Sequence, residues 1–171
     1  KLQLEDVELE INNLKFFSNN LNAVQIKNKF EISGEIENKN LILKQDNIDL
    51  LIKPFFEIIN IKNIEFNSNN VFSFIVDKKF KIENLKIKSK INFKEILNNN
   101  KFDLKDIFPK INDDLKFENQ MMEIDYKKNN LKIKGSGEVF IQENKDKINY
   151  SINKKNTKID FESLLEINKN V

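Results

Sequence analysis

Few residues in this chain have the types and spacing that chemistry needs. Gly135-Ser136-Gly137 places a hydroxyl between two glycines, the pattern of a serine nucleophile at a sharp turn. Such a nucleophile needs a strand-to-helix turn to project it. The flanking sequence, LKIKGSGEVFIQ, instead alternates apolar and polar residues on both sides, so Ser136 lies within a strand. A serine also needs a base. The chain has no histidine and no cysteine, which removes the usual base, the thiol nucleophile and most metal-ligand sets. Carboxylates are plentiful, but Glu31, Glu35, Glu37, Glu138 and Glu143 fall at polar-face or turn positions. The adjacent pair Asp113-Asp114 reads as a solvated turn rather than a general acid–base couple. Calcium loops and phosphate-binding glycine loops are missing, and an asparagine-rich chain produces an acceptor-like Asn149-Tyr150-Ser151 by chance. The expectation is a protein without catalytic residues, metal or cofactor.

Composition narrows the field further. At 171 residues the chain is long enough for one domain with a real core. Charged residues make up 33% with a net charge of only +2, both signs interspersed, which argues against a nucleic-acid binder. Every cation is lysine, and the abundance of Lys, Asn, Ile and Phe matches A- and T-rich codon usage. With no cysteine, a disulfide framework is ruled out. No apolar run approaches the ~20 residues of a membrane-spanning helix. With neither an initiator methionine nor a signal-peptide pattern, the chain reads as a segment of a longer protein.

The elements that must position any site are strands. Phe30, Ile32, Gly34 and Ile36 share one parity with Val24 and Ile26; Phe72, Phe74 and Val76 repeat the pattern, as do Leu85, Ile87, Ile91 and Phe93. Ile148, Tyr150 and Ile152, then Ile159, Phe161, Ser163, Leu165 and Ile167, close the series. Asparagine tolerates the left-handed backbone of tight turns, so the clusters at Asn19-Asn20, Asn38-Lys39-Asn40, Asn69-Asn70, Asn129-Asn130 and Asn144-Lys145 are read as turns. The result is about ten strands in an antiparallel meander. Alternation fails in INFKEILNNNKFDLKDIFPKINDD, where Ile96-Leu97 and Leu104, Ile107, Phe108 and Ile111 fit helical spacing. This predicts one or two short helices near 94–113, ended or kinked by Pro109. Pro54 in KPFFEIINIKNIEF points to an edge or turn, with a strand resuming near Ile58.

All three glycines, Gly34, Gly135 and Gly137, stand on the dry parity of strands. They mark either a bend in a coiled sheet or a face hollowed for something other than protein. LKIKGSGEVFIQENKDKINYSINKKNTKIDFESLLEIN has the cadence apolar-x-apolar-x-Gly-x-Gly-x-apolar-x-apolar, polar turn, Ile-x-Tyr-x-Ile, polar turn, Ile-x-Phe-x-x-x-Leu-x-Ile. It resembles the repeating part of the AsmA-like, TamB-related proteins of Gram-negative bacteria, as do IFPKINDD with LKFENQMMEIDY, and FEISGEIENKN near the start. The resemblance covers about the last 75 residues well and the rest in style. It implies a long, twisted β-sheet curved into an open hydrophobic groove. It also implies periplasmic localisation, an inner-membrane anchor outside this chain, and carriage of phospholipid toward the outer membrane. Length and ends depart from the family, because 171 residues are too few for a complete bridge.

The expected fold is all-β, and the expected ligands are phospholipid acyl chains; bacterial membranes would be reached through parts of the protein not present here, with no nucleic acid. Acyl contact is assigned to Phe30, Ile32, Gly34, Ile36, Leu131, Ile133, Gly135, Gly137, Val139, Ile141, Tyr150 and Phe161. Two other readings use the same alternation: a closed β-sandwich adhesion or assembly module, and a lipocalin-like carrier of one small apolar ligand. Phe140, on the polar parity with Lys134 and Glu138, packs under another element or stands exposed.

Overall fold

A computed structural model of the chain describes residues 1–11, 13–51, 61–99 and 114–168. Ten strands form one antiparallel sheet. They are β1 (Leu2–Leu4), β2 (Val7–Ile11), β3 (Leu14–Ile26), β4 (Lys29–Lys44), β5 (Ile61–Asp77), β6 (Ile82–Asn99), β7 (Asp114–Lys127), β8 (Asn130–Phe140), β9 (Asp146–Lys155) and β10 (Lys158–Glu166). The single described helix, α1 (Gln45–Leu51), follows β4. From β3 to β10 each strand lies beside its chain neighbour, while β1 and β2 both pair with β3 and share one edge. The sheet does not close: β10 forms the other edge and, among the described residues, pairs only with β9. A closed barrel of the lipocalin kind requires its first and last strands to pair, and these do not.

Period-two alternation sorts the side chains onto two faces. One face carries most of the Ile, Leu and Phe, and the other carries most of the Lys, Glu and Asp together with exposed Val24, Ile26, Ile42, Val71 and Met121. The packed part of the apolar face lies at one end of the strands, in two separate clusters. Leu14, Leu41, Leu43 and Ile64 gather under Ile48 of α1, with Phe66, Phe93 and Ile96 against them. Val139 and Ile141 form the second cluster with Leu115, Phe117, Ile148 and Leu165. Each cluster draws only on strands that are neighbours in the sheet and on α1, so the described residues build no sheet-on-sheet core of the β-sandwich kind.

Four one-residue bulges run across the strands between the packed end and the rest. They fall in β3 between Phe17 and Asn20, in β4 between Asn38 and Leu41, in β6 between Phe93 and Glu95, and in β7 between Glu118 and Met121. An extra residue bends a strand and strengthens its twist. It also separates successive inward residues by three positions instead of two, as in Ser18 to Leu21, Asn38 to Leu41, Phe93 to Ile96 and Phe117 to Gln120. That local spacing of three is what imitates a helix after Phe93. Lys94–Asn99 is in fact strand, bonded to both β5 and β7, so the helical insertion expected from residue 94 is corrected there; its remainder, 100–113, lies outside the described residues. So do Pro54 and Ile58, and β5 begins at Ile61.

Asparagine supplies much of the left-handed backbone, at Asn13, Asn129 and Asn156 in turns and at Asn40, Asn84 and Asn119 inside strands. The clusters Asn19-Asn20, Asn38–Asn40 and Asn69-Asn70 therefore do not reverse the chain; the first two sit at bulges and the third within β5. Buried side-chain amides brace two bulges. Asn38 donates through Nδ2 to the Phe66 carbonyl at 3.0 Å and accepts from the Ser68 hydroxyl, while Asn70 Nδ2 donates to the Ile36 carbonyl at 3.1 Å. Gln120 Nε2 donates to the Glu138 carbonyl at 2.7 Å.

On the charged face, Lys116 bridges Glu95 (3.0 Å) and Glu118 (2.7 Å), and Lys145 bridges Glu118 (3.0 Å) and Glu138 (2.9 Å). The same two ammonium groups stand 5.8 and 5.5 Å from the centre of the Phe140 ring, which accounts for a phenylalanine on the wet side. Both edges are acidic, with Glu5, Asp6, Glu8 and Glu10 beside β1 and β2, and Asp160, Glu162 and Glu166 along β10.

Candidate functional site

Register places the candidate residues. Ile36 of β4 is followed across the sheet by Asn70, Ser89, Ile124, Ile133, Ile152 and Phe161. The adjacent row runs Gly34, Phe72, Ile87, Tyr126, Leu131. The next row toward the packed end runs Asn38, Ser68, Ile91, Met122, Gly135, Tyr150, Ser163. The two groups expected to line one surface, on β4 and on β8–β10, thus share a face. Four strand spacings of ~4.8 Å separate β4 from β8, or ~19 Å. Ile152 of β9 extends the second group, while Phe72, Ile87, Ile124 and Tyr126 fill the interval. Their alternation was legible, but their place between the two groups depends on strand order.

Exposure divides the expected residues. Phe30 and Phe161 are exposed, the latter at 65%, and Ile32, Ile36, Leu131, Ile133 and Tyr150 are half-buried. Leu2, Leu4, Ile82 and Ile159 add further exposed apolar side chains to the same face. Val139 and Ile141 depart from expectation. Val139 is only 2% exposed and both belong to the packed end, so neither lines an open surface.

The glycines depart as well. A Cβ on Gly135 would lie 2.1 Å from Tyr150 Cζ, one on Gly137 would lie 2.2 Å from Gln120 Nε2, and one on Gly34 would lie 2.6 Å from Leu21 Cδ2. The room above each glycine is taken by a side chain from the neighbouring strand. None of the three has positive φ, so close approach and not backbone freedom selects glycine here. Burial pushes the Tyr150 phenol above its ordinary pKa, consistent with a ring laid flat on the sheet.

Sequence reasoning also missed a polar band on the apolar face. Ser18, Asn38, Ser68, Ser89 and Gln120 are buried there, close to the line of bulges. The signal was present as Asn and Ser at inward parity. Two hollows of about 500 and 440 Å³ open on the opposite, charged face, lined by residues such as Glu35, Val71, Lys88, Glu123 and Lys132. Their lysines and acids face one another across strands, as Lys88 with Asp125 and Lys90 with Glu123, which balances their charge. No cluster of three potential metal ligands occurs among the described residues, nor does a helix long and apolar enough to cross a membrane. No protein-family model, curated protein or solved structure matches this chain.

Proposed function

We propose that this chain is a stretch of a non-enzymatic hydrophobic conduit, of the AsmA-like kind, that shields phospholipid acyl chains from water between the inner and outer membranes. The observation that carries the reading is the single-layer, unclosed sheet whose one largely apolar face, crossed by a polar band near the bulges, is exposed away from its packed end. Each CH₂ exposed to water costs ~0.8 kcal/mol, so a sixteen-carbon chain costs ~12 kcal/mol. A surface of Ile, Leu and Phe side chains removes most of that cost without selecting one lipid. It also leaves the charged headgroup in water beyond the strand ends. In this reading the aligned bulges curl the sheet into a trough, and the lipid-facing residues are Phe30, Ile32, Ile36, Phe72, Ile87, Ile124, Leu131, Ile133, Ile152 and Phe161. Tyr150 covers Gly135 and forms part of the trough floor.

The test is photo-crosslinking of the purified chain from single sites on each face, in detergent-free buffer, after expression in a Gram-negative host. Probes replacing Ile87 and Ile133 should yield phospholipid adducts, whereas probes replacing Val71 and Lys132 on the charged face should not. Adducts in equal yield from both faces, or only protein–protein adducts from Ile87 and Ile133, would reject the conduit. The second outcome would favour an assembly module whose apolar face closes on another sheet.

A further inference from the structure

We propose that the four hairpin tips at one end of the sheet form a docking edge for an anionic membrane surface. In a meander every second connection returns at the same end, so the β3–β4, β5–β6, β7–β8 and β9–β10 turns lie side by side. At two strand spacings between tips, the row is ~29 Å long. The first two tips carry Lys27 and Lys29, then Lys78, Lys79 and Lys81. The other two carry Lys127 and Lys128, then Lys154, Lys155 and Lys158. These are ten of the chain's 29 lysines, in a protein of net charge +2.

Five acids lie within two residues of these lysines, Glu31, Asp77, Glu83, Asp125 and Asp160, and three of them are already engaged. Glu83 pairs with Lys29 at 2.5 Å and Asp160 with Lys158 at 3.1 Å. Asp77 accepts from the backbone N–H groups of Lys79 and Lys81 at 2.8 and 3.0 Å. At the opposite end the described β8–β9 connection, 141–145, carries Glu143 against Lys145 and no excess of positive charge.

A second feature selects a lipid surface over another polyanion. Phe80, at the tip of the β5–β6 hairpin, is 87% exposed and holds φ at 59°, a left-handed conformation for which glycine is customary. A bulky apolar residue there packs against nothing in the fold. Exposed Phe30, Ile82 and Ile159 stand just behind the tips on the apolar face. Lysines flanking a protruding aromatic match an interface of anionic headgroups over acyl chains. A nucleic-acid duplex, whose bases are already stacked inside the helix, would gain little from these apolar side chains. The inference stands apart from the acyl-carrying reading: it concerns the edge, and its test uses bilayers.

The test is co-sedimentation of the full chain with vesicles of phosphatidylglycerol and phosphatidylcholine (3:7), in 0.1 M salt, against phosphatidylcholine alone. Binding should be confined to the anionic vesicles. At about fivefold per lysine, the variant Lys78→Gln/Lys79→Gln/Lys128→Gln/Lys155→Gln should bind about 600-fold more weakly. Removing the same charge from the flat of the sheet, with Lys88→Gln/Lys90→Gln/Lys134→Gln/Lys147→Gln, should change binding less than threefold. Phe80→Gly should weaken binding severalfold without lowering the thermal midpoint, because it relieves the left-handed phenylalanine. Equal losses in the two quadruple variants would reduce the effect to net charge and overturn the proposal. So would binding to neutral vesicles of equal strength, absence of binding to either vesicle, or a DNA duplex competing as well as anionic lipid.

Discussion

Replacing Gly135 by alanine should destabilise this sheet, although alanine is ordinarily the better strand residue. On backbone entropy alone the substitution gains ~0.5–1 kcal/mol. Against that, the new methyl would sit 2.1 Å from Tyr150 Cζ and 2.3 Å from its hydroxyl oxygen, so the ring must swing off the sheet. A half-buried tyrosine ring covers ~100 Å², worth ~2.5 kcal/mol at ~25 cal/mol/Å². The expected net cost of Gly135→Ala is therefore ~1.5–2 kcal/mol, read from urea unfolding midpoints at constant slope. Tyr150→Ala should cost a similar amount, and the double variant should be no less stable than Tyr150→Ala alone, giving a coupling of ~2 kcal/mol. A second readout follows from the phenol, which burial holds above its ordinary pKa. A phenol that keeps its proton more tightly when folded adds stability below the unfolded value near 10, and this is lost as pH rises through the folded value. Gly135→Ala should move the Tyr150 titration downward and shrink that alkaline loss. Additive double-variant energies, or a stabilising Gly135→Ala with the phenol unmoved, would refute the packing account of the glycine.

Two further expectations concern the bulges and the outer network. Asn38→Ala removes the amide that satisfies the Phe66 carbonyl, so it should cost about 1–3 kcal/mol in urea melts; Ser18→Ala should be neutral or stabilising, because the buried Ser18 hydroxyl has no hydrogen-bond partner among the described residues. Hydrogen bonds from Lys116 and Lys145 hold the Glu118 carboxyl below its ordinary pKa, and those from Lys145 and Asn119 do the same for Glu138. Their contribution is present above the unfolded range near ~4.3 and lost as pH falls through the lowered folded values. Lys145→Ala should accordingly flatten the fall in thermal midpoint below about pH 4.5, whereas an unchanged acid limb would show that the network does not couple to folding.

Strand number and antiparallel order were legible because alternation survives along most of each strand. The inward sets Phe30–Ile36, Leu131–Ile141 and Ile148–Ile152 stand as the alternation predicts. Reading failed where one residue was added. A bulge and a turn both use left-handed asparagine, so Asn38-Lys39-Asn40 in mid-strand carried the same local mark as Asn129 in a real hairpin. Likewise Phe93 and Ile96, three apart, gave a helical period inside β6. Val24 and Ile26 were assigned to the inner face by parity, but the two-residue turn at Lys27-Asn28 pairs Val24 with Glu31 and Ile26 with Lys29, which puts both outside. The space over the glycines was invisible for another reason. What fills it, Tyr150 over Gly135 and Gln120 over Gly137, comes from adjacent strands whose register no local pattern specifies.

The acidic borders of the sheet bear on how the molecule lives in concentrated solution. An unpaired border strand invites end-to-end polymerisation, and ten strands with a greasy side would make a persistent fibril. Here a second molecule approaching head to tail brings Glu8 and Glu10 up to Asp160 and Glu162, like charge against like. Propagation by this route is opposed at every junction, so a strand that joins either border must bring lysines of its own, as β6 and β8 do within the chain.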